Sequence, residues 1–197
     1  MDWATFERSL LHVAHYCAQG TQEELSLTGI GEALLNPLFK EMVIRSREVI
    51  GANRKLVMAT NGTEVTDDIA QFLAKWGVTT YVSLHRPEVA GPAIHKLRKA
   101  GVCVGTNDQF VTASYNWIGE VDWPHTDRKA WCSYLGKGWG VVRVDGAVNT
   151  CCWDAHGSQP IGHVINAVGS LVTHVTPLCE KCPLVVPPFM LEQQEAG

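Results

Sequence analysis

The sequence has no cluster of lysine or arginine. Its sixteen basic residues are scattered among twenty acidic ones over 197 positions, which argues against a nucleic-acid-binding surface. It has no apolar run near the roughly 18 residues a membrane helix needs. The N-terminus, MDWATFERSL, opens with an acid and lacks the basic segment and apolar core of a secretory signal. Internal repeats and low-complexity segments are also missing. What is left is an ordinary composition, 46% hydrophobic and 18% charged with a formal charge of −4, expected of a soluble globule, long enough for one medium domain or two small ones. The expected location is the cytosol.

Cysteine is the residue in excess. The seven are Cys17, Cys103, Cys132, Cys151, Cys152, Cys179 and Cys182. A reducing cytosol disfavours a disulfide framework, so clustered thiols point to metal. Five of the seven fall in the last third of the chain, which divides it into two regions of different chemistry.

The first region alternates helix and strand. Residues 2 to 19 read as a helix that Asp2 can cap, with Phe6, Leu10, Val13, Ala14 and Cys17 on one face. EELSL is a short strand, and a second helix follows Pro37 with Phe39, Met42, Val43, Ser46, Val49 and Ile50 inward. KLVMAT (55 to 60) is a buried-type strand ending at the turn Asn61-Gly62. A third helix covers about 65 to 76, with Ile69, Phe72, Leu73 and Trp76 inward. VTTYVSL (78 to 84) is a strand, and residues 90 to 100 are a helix with Pro92 near its start. GVCVGT (101 to 106) is a further strand. Such alternation predicts βαβ units around a parallel sheet: an α/β fold.

Ligands of parallel sheets lie at the C-terminal ends of the strands. The polar residues there are Thr28, Gly29, Gly31 and Glu32; Thr60 and Asn61; Ser83 and His85; and Thr106 and Asn107. Cys17, on a helix's apolar face, and Cys103, within a strand, read as core residues.

From about residue 113 the pattern changes to tryptophans, glycines and short apolar alternations. GWGVVRVDGAVNTCCWD predicts a β-hairpin turning at Asp145-Gly146. Trp117, Trp123, Trp131, Trp139 and Trp153 read as core and shielding residues. Cys179 and Cys182 form a Cys-x2-Cys knuckle, a spacing that brings two sulfurs to one metal. Cys132 and Cys151 precede it. Cys151 and Cys152 are adjacent on a strand and point to opposite faces, so one of them joins a given site. Four thiolates from a hairpin and a knuckle suit a tetrahedral zinc or a 4Fe-4S cluster, and composition does not separate the two. His156 and His163, flanking a glycine turn, are weaker alternative ligands.

Together these segments resemble the radical SAM enzymes that carry a twitch or SPASM-type C-terminal extension. Gly31-Glu32 in TGIGEALLNP resembles the family's Gly-Gly-Glu-Pro motif, with Ile30 and Ala33 in place of its first glycine and its proline. MATNGT and VSLHRPE resemble the ends of the next two barrel strands. Cys132, thirteen residues, Gly146, four residues and Cys151 match the first auxiliary-cluster motif, and Cys179-x2-Cys182 its closing pair. The resemblance implies a partial (β/α) barrel over residues 1–112 and an iron-sulfur region with a small metal-binding hairpin over 113–197. It implies that Gly29, Gly31 and Glu32 meet S-adenosylmethionine, with Glu32 accepting hydrogen bonds from its amino group, and that Ser83 and Asn107 are rim contacts. It further implies that Cys132, Cys151, Cys179 and Cys182 ligate one auxiliary 4Fe-4S cluster, with zinc as the alternative metal.

One family motif has no counterpart here, the Cys-x3-Cys-x2-Cys loop whose cluster cleaves S-adenosylmethionine. The catalytic residues are therefore undefined. Without the strand that carries this loop, EELSL would present an unpaired edge, which invites another chain. Upstream sequence, a partner chain or a second copy is expected to cover it. The other expectations are a degenerate member that binds without chemistry, and an unrelated α/β protein with a structural zinc site.

Overall fold

The computed structural model describes residues 1–20, 23–29, 31–107, 130–131, 140–152, 154, 157–172, 174, 176–180 and 185–186; of residues 107, 130, 131, 180, 185 and 186 it describes the backbone alone. The chain forms two compact units, Val13–Thr112 and Met1–His12 with Ala113–Gly197.

Helix α1 (Trp3–Ala18) opens the chain, and Asp2 caps it as expected, its Oδ1 accepting the Thr5 amide at 2.8 Å. Phe6, Leu10 and Cys17 are buried along it. Ala14 is exposed and His12 is buried instead. The His12 Nε2 lies 3.1 Å from the Val164 carbonyl oxygen, which gives the ring a reason to turn inward.

In the unit Val13–Thr112 four strands form a parallel sheet in chain order: β1 (Glu24–Ser26), β2 (Lys55–Thr60), β3 (Val78–Ser83) and β4 (Val104–Asn107). Three helices join them, α2 (Phe39–Ile50), α3 (Asp67–Lys75) and α4 (Pro87–Lys99). The register pairs Leu56 with Val78, Met58 with Thr80 and Thr60 with Val82, and then Thr80 with Val104. These alternate residues share one face. The helices cover it with Phe39, Val43, Ile50, Leu73, Ala90, Ala93 and Leu97, so that Leu56, Met58, Leu73 and Leu97 are fully buried. Burial of each such side chain contributes about 1.5–3 kcal/mol. This is the α/β architecture the alternation predicted.

Local chemistry sets the helix ends. Thr66 caps α3, its hydroxyl oxygen accepting the Ile69 amide. Helix α4 begins earlier than expected because Pro87 takes its first turn, where a missing N–H costs nothing. Pro92 then falls inside the helix at an exposed position. Cys103 is not the core residue expected. It shares its face of the sheet with Gly105, while the preceding Val102 is buried on the other, and the thiol is exposed.

In the second unit, β6 (Val141–Val142) and β7 (Ala147–Asn149) form the expected antiparallel hairpin. Its turn places Gly146 at φ 88°, a left-handed conformation suited to glycine. A third strand, β8 (Pro160–His163), adds to β7, while β5 (Ala130–Trp131) pairs in parallel with β9 (Val185–Val186). A short helix, α5, spans Pro177–Glu180. Among the described residues, no helix is long and apolar enough to cross a membrane.

Candidate functional site

The C-terminal ends of β1 and β2 hold an open cleft of about 290 Å³, lined by Thr28, Gly29, Gly31, Glu32, Ala59, Thr60 and Asn61. Two neighbouring strands stop at the same level, and the chain leaves each through a polar turn. Leaving β1, Thr28 puts its side chain where a backbone acceptor would stand, and its hydroxyl oxygen accepts the Ala59 amide at 2.9 Å. The same oxygen accepts the Ser26 hydroxyl at 3.0 Å. At the end of β2, Gly62 turns with φ 87° and packs so near α4 that a Cβ there would lie 3.0 Å from that of Ala93.

Glu32 is the one charged side chain among these lining residues. Its carboxylate is held by the chain itself. Oε1 accepts the Leu34 amide at 3.3 Å, capping a turn of 3-10 helix over Ala33–Leu35, and the Thr60 hydroxyl at 2.9 Å. Oε2 accepts the Asn61 amide at 2.8 Å. The Thr60 oxygen accepts the Gly62 amide in turn, which directs its own proton to Glu32. A carboxylate has roughly four acceptor positions, and these contacts use three. The last position can take a donor from a ligand.

Gly29 and Gly31 have a different setting from Gly62. Neither has a left-handed backbone, and a Cβ on either would meet nothing within 4 Å. Among the described residues no contact requires glycine at these positions. The open space before them belongs to the cleft.

Ser83 is not among the described residues that line the cleft, and of Asn107 the backbone alone is described. They are register partners at the ends of β3 and β4. Among the described residues the buried Ser83 hydroxyl has no hydrogen-bond partner. His85 is exposed just beyond. Ala59 is a lining residue that the sequence reading passed over, although the alternation in KLVMAT places it on the face opposite Met58.

Of the four thiols expected at a metal, Cys132 and Cys182 lie outside the described residues, as do Trp117, Trp123, Trp139, Trp153 and His156. Cys151 and Cys179 are half-buried. The Cys179 sulfur accepts the Thr176 amide at 3.4 Å at the start of α5. The Thr150 hydroxyl, next to Cys151, donates to the His174 carbonyl oxygen at 2.9 Å, which ties the end of the hairpin to the segment leading into α5. Among the described residues no three metal-ligating side chains come together. The His163 Nε2 is 2.9 Å from the Asp145 carbonyl oxygen, and its ring covers Gly146.

No protein-family model matches this chain, and no curated protein sequence matches it. Two crystal structures of BtrN, a radical SAM enzyme, share its fold. BtrN in complex with AdoMet and 2-DOIA aligns with a TM-score of 0.66 at 21% identity, over 91% of this chain and 72% of that one. Selenomethionine BtrN in an OPEN conformation aligns with a TM-score of 0.59 at 19% identity, over 91% and 71%. At this identity the likeness concerns the fold alone: the chain is an α/β protein whose four-strand parallel sheet and helices form a partial barrel of the kind seen in BtrN.

Proposed function

We propose that this chain is a radical SAM-like protein that binds S-adenosylmethionine in the Glu32 cleft and one auxiliary 4Fe-4S cluster through Cys132, Cys151, Cys179 and Cys182. The observation that carries the reading is Glu32 itself. It is a carboxylate fixed by three hydrogen bonds at the ends of two parallel strands, with an acceptor position still open, in a fold shared with BtrN, which is known in complex with AdoMet. The open space before Gly29 and Gly31 fits the close approach of a ligand. In this reading the amino group of S-adenosylmethionine donates to Glu32, and the Ser83 hydroxyl and Asn107 contact it further along the rim.

The cluster reading rests on the spacing of the four thiols and on two contacts. The Thr176 amide donates to the Cys179 sulfur, as amides around metal-bound thiolates do, and the Thr150–His174 hydrogen bond joins the segments that carry Cys151 and Cys179. A bound cluster would supply redox chemistry or structural stability; these residues would hold it and shield it from water.

Catalysis is a separate step from binding. Among the described residues the sheet ends at β1, which pairs with β2 on one side. We propose that a strand carrying the Cys-x3-Cys-x2-Cys loop, from upstream sequence or from a partner chain, joins that edge when the protein is active. Without it the chain binds and does not cleave S-adenosylmethionine.

Calorimetric titration of anaerobically prepared protein with S-adenosylmethionine tests the first part. Binding is expected, and Glu32→Gln is expected to weaken it by about 10- to 100-fold, the worth of one charge-assisted hydrogen bond. Absence of binding by the wild-type chain rejects the reading. Brown protein with four irons and four sulfides per chain supports the auxiliary cluster, whereas colourless protein with one zinc replaces it with a structural site.

A further inference from the structure

Tyr81 stands beside the cleft but is not among its lining residues. The sheet register places Ala59, Tyr81 and Gly105 side by side on β2, β3 and β4, and register partners point to the same face of a sheet. Ala59 lines the cleft, so Tyr81 continues its floor one strand over, about 4.8 Å away. This is the face that the helices leave uncovered. The alternate residues Val78, Thr80 and Val82 are fully buried against the helices, whereas Tyr81 is 42% exposed. In the unit Val13–Thr112 it and Leu35 are the two large apolar side chains that are exposed among the described residues.

The ring has a prepared seat. A Cβ at Gly105 would lie 2.6 Å from both Cδ1 and Cε1 of Tyr81. Gly105 lacks the left-handed backbone that would demand glycine, and glycine within a strand forfeits both entropy and packing. What glycine provides here is room. The ring leans over Gly105 on β4, which puts an aromatic surface at the edge of the cleft.

We infer that Tyr81, seated on Gly105, is a binding residue for the nucleoside half of S-adenosylmethionine, whose ribose and adenine pass across β3 when the amino group is held at Glu32. The inference rests on the binding reading above. A ligand anchored over β1 and β2 must run along the uncovered face or out of the cleft. Along the face it meets Tyr81, the exposed side chain next to Ala59. A ring presents its face to a purine by stacking and to a ribose by C–H contact.

The test is titration of the full chain with two probes, S-adenosylmethionine and 5′-methylthioadenosine, which keeps the nucleoside and lacks the amino acid. Tyr81→Ala is expected to weaken both by the same factor, roughly tenfold, the size of one base–aromatic contact. Tyr81→Phe should keep both affinities. Gly105→Ala, which pushes the ring from its seat, should weaken both in the wild-type background and neither further in Tyr81→Ala. Glu32→Gln should weaken S-adenosylmethionine alone. Wild-type binding of both probes that Tyr81→Ala leaves unchanged overturns the inference and spares the binding reading. So does a Tyr81→Ala loss larger for S-adenosylmethionine than for methylthioadenosine, which means a disturbed cleft. A wild-type chain that binds neither overturns both.

Discussion

The Nε of Arg47 donates to the carbonyl oxygen of Trp76 at 3.1 Å, so a side chain of α2 closes the end of α3. The same guanidinium reaches the carbonyl oxygens of Gly77 at 2.9 Å, Gly51 at 2.9 Å and Arg54 at 2.8 Å. Two helix ends and the entry to β2 therefore depend on one cation. Arg47→Ala should lower stability by about 2–3 kcal/mol, since hydrogen bonds to a charged group are worth more than neutral ones and the carbonyls lose their donor together. Arg47→Lys should recover a minor part, because an ammonium cannot spread over four acceptors in the same plane. Urea unfolding followed by circular dichroism measures both. An Arg47→Ala chain as stable as wild type would mean that water replaces the guanidinium without loss.

Gly31 offers a substitution that separates binding from folding. A Cβ there meets no atom of the chain within 4 Å and its backbone is not left-handed. Gly31→Ala should therefore leave the melting temperature within a degree or so, the usual range for surface changes. It should weaken S-adenosylmethionine severalfold by intruding on the cleft. Unchanged affinity would place the ligand away from this loop.

Gly146 is the opposite case. Its φ is 88°, and a Cβ would lie 2.6 Å from the His163 ring. Gly146→Ala should cost about 2 kcal/mol or more, from the left-handed backbone and the displaced ring. Adding His163→Ala should return the steric part and leave the backbone part. Thermal melts of the two variants, together with iron content after anaerobic reconstitution, show whether the hairpin turn also governs cluster loading.

Burial raises the Cys17 thiol above its ordinary pKa of 9.0, and the nearby Arg54 charge opposes the shift without cancelling it. The folded chain thus keeps a neutral thiol at pH values where the unfolded chain ionises. The contribution to stability is full below the ordinary value and is lost as the pH rises towards the folded one. The melting temperature of Cys17→Ala, compared with wild type, should fall less steeply in that alkaline window. At neutral pH iodoacetamide should label the exposed Cys103 long before Cys17, which peptide mass mapping resolves. Equal labelling would show that α1 opens readily.

Much of the first unit was legible because it obeys local rules. KLVMAT and VTTYVS are strands of the sheet, and Asp2 caps α1 where a capping residue was expected. The misreadings are also physical. Pro92 looked like a helix start because proline favours first turns, but Pro87 had already taken that place and an exposed helix face tolerates the loss of one donor. Cys103 looked buried because its segment is apolar, yet strand alternation puts it on the uncovered face with Tyr81 and Gly105. His12 is buried because of a carbonyl 152 residues away, a partner that no local pattern discloses. In the cleft, the strand-end residues could be read from polarity. That Glu32 is largely satisfied by its own chain could not, since Thr60 and Asn61 reach it from another strand.

That bridging has a consequence for how occupancy of the cleft would be felt. Glu32 joins the loop after β1 to the backbone at the end of β2 through the Asn61 amide. A cation drawn to Oε2 competes for the same electron density and also holds the carboxylate still. The proton of Asn61 is thus a resident reporter, and its exchange with deuterium should slow or quicken with each ligand that touches Glu32, before any larger movement of the chain.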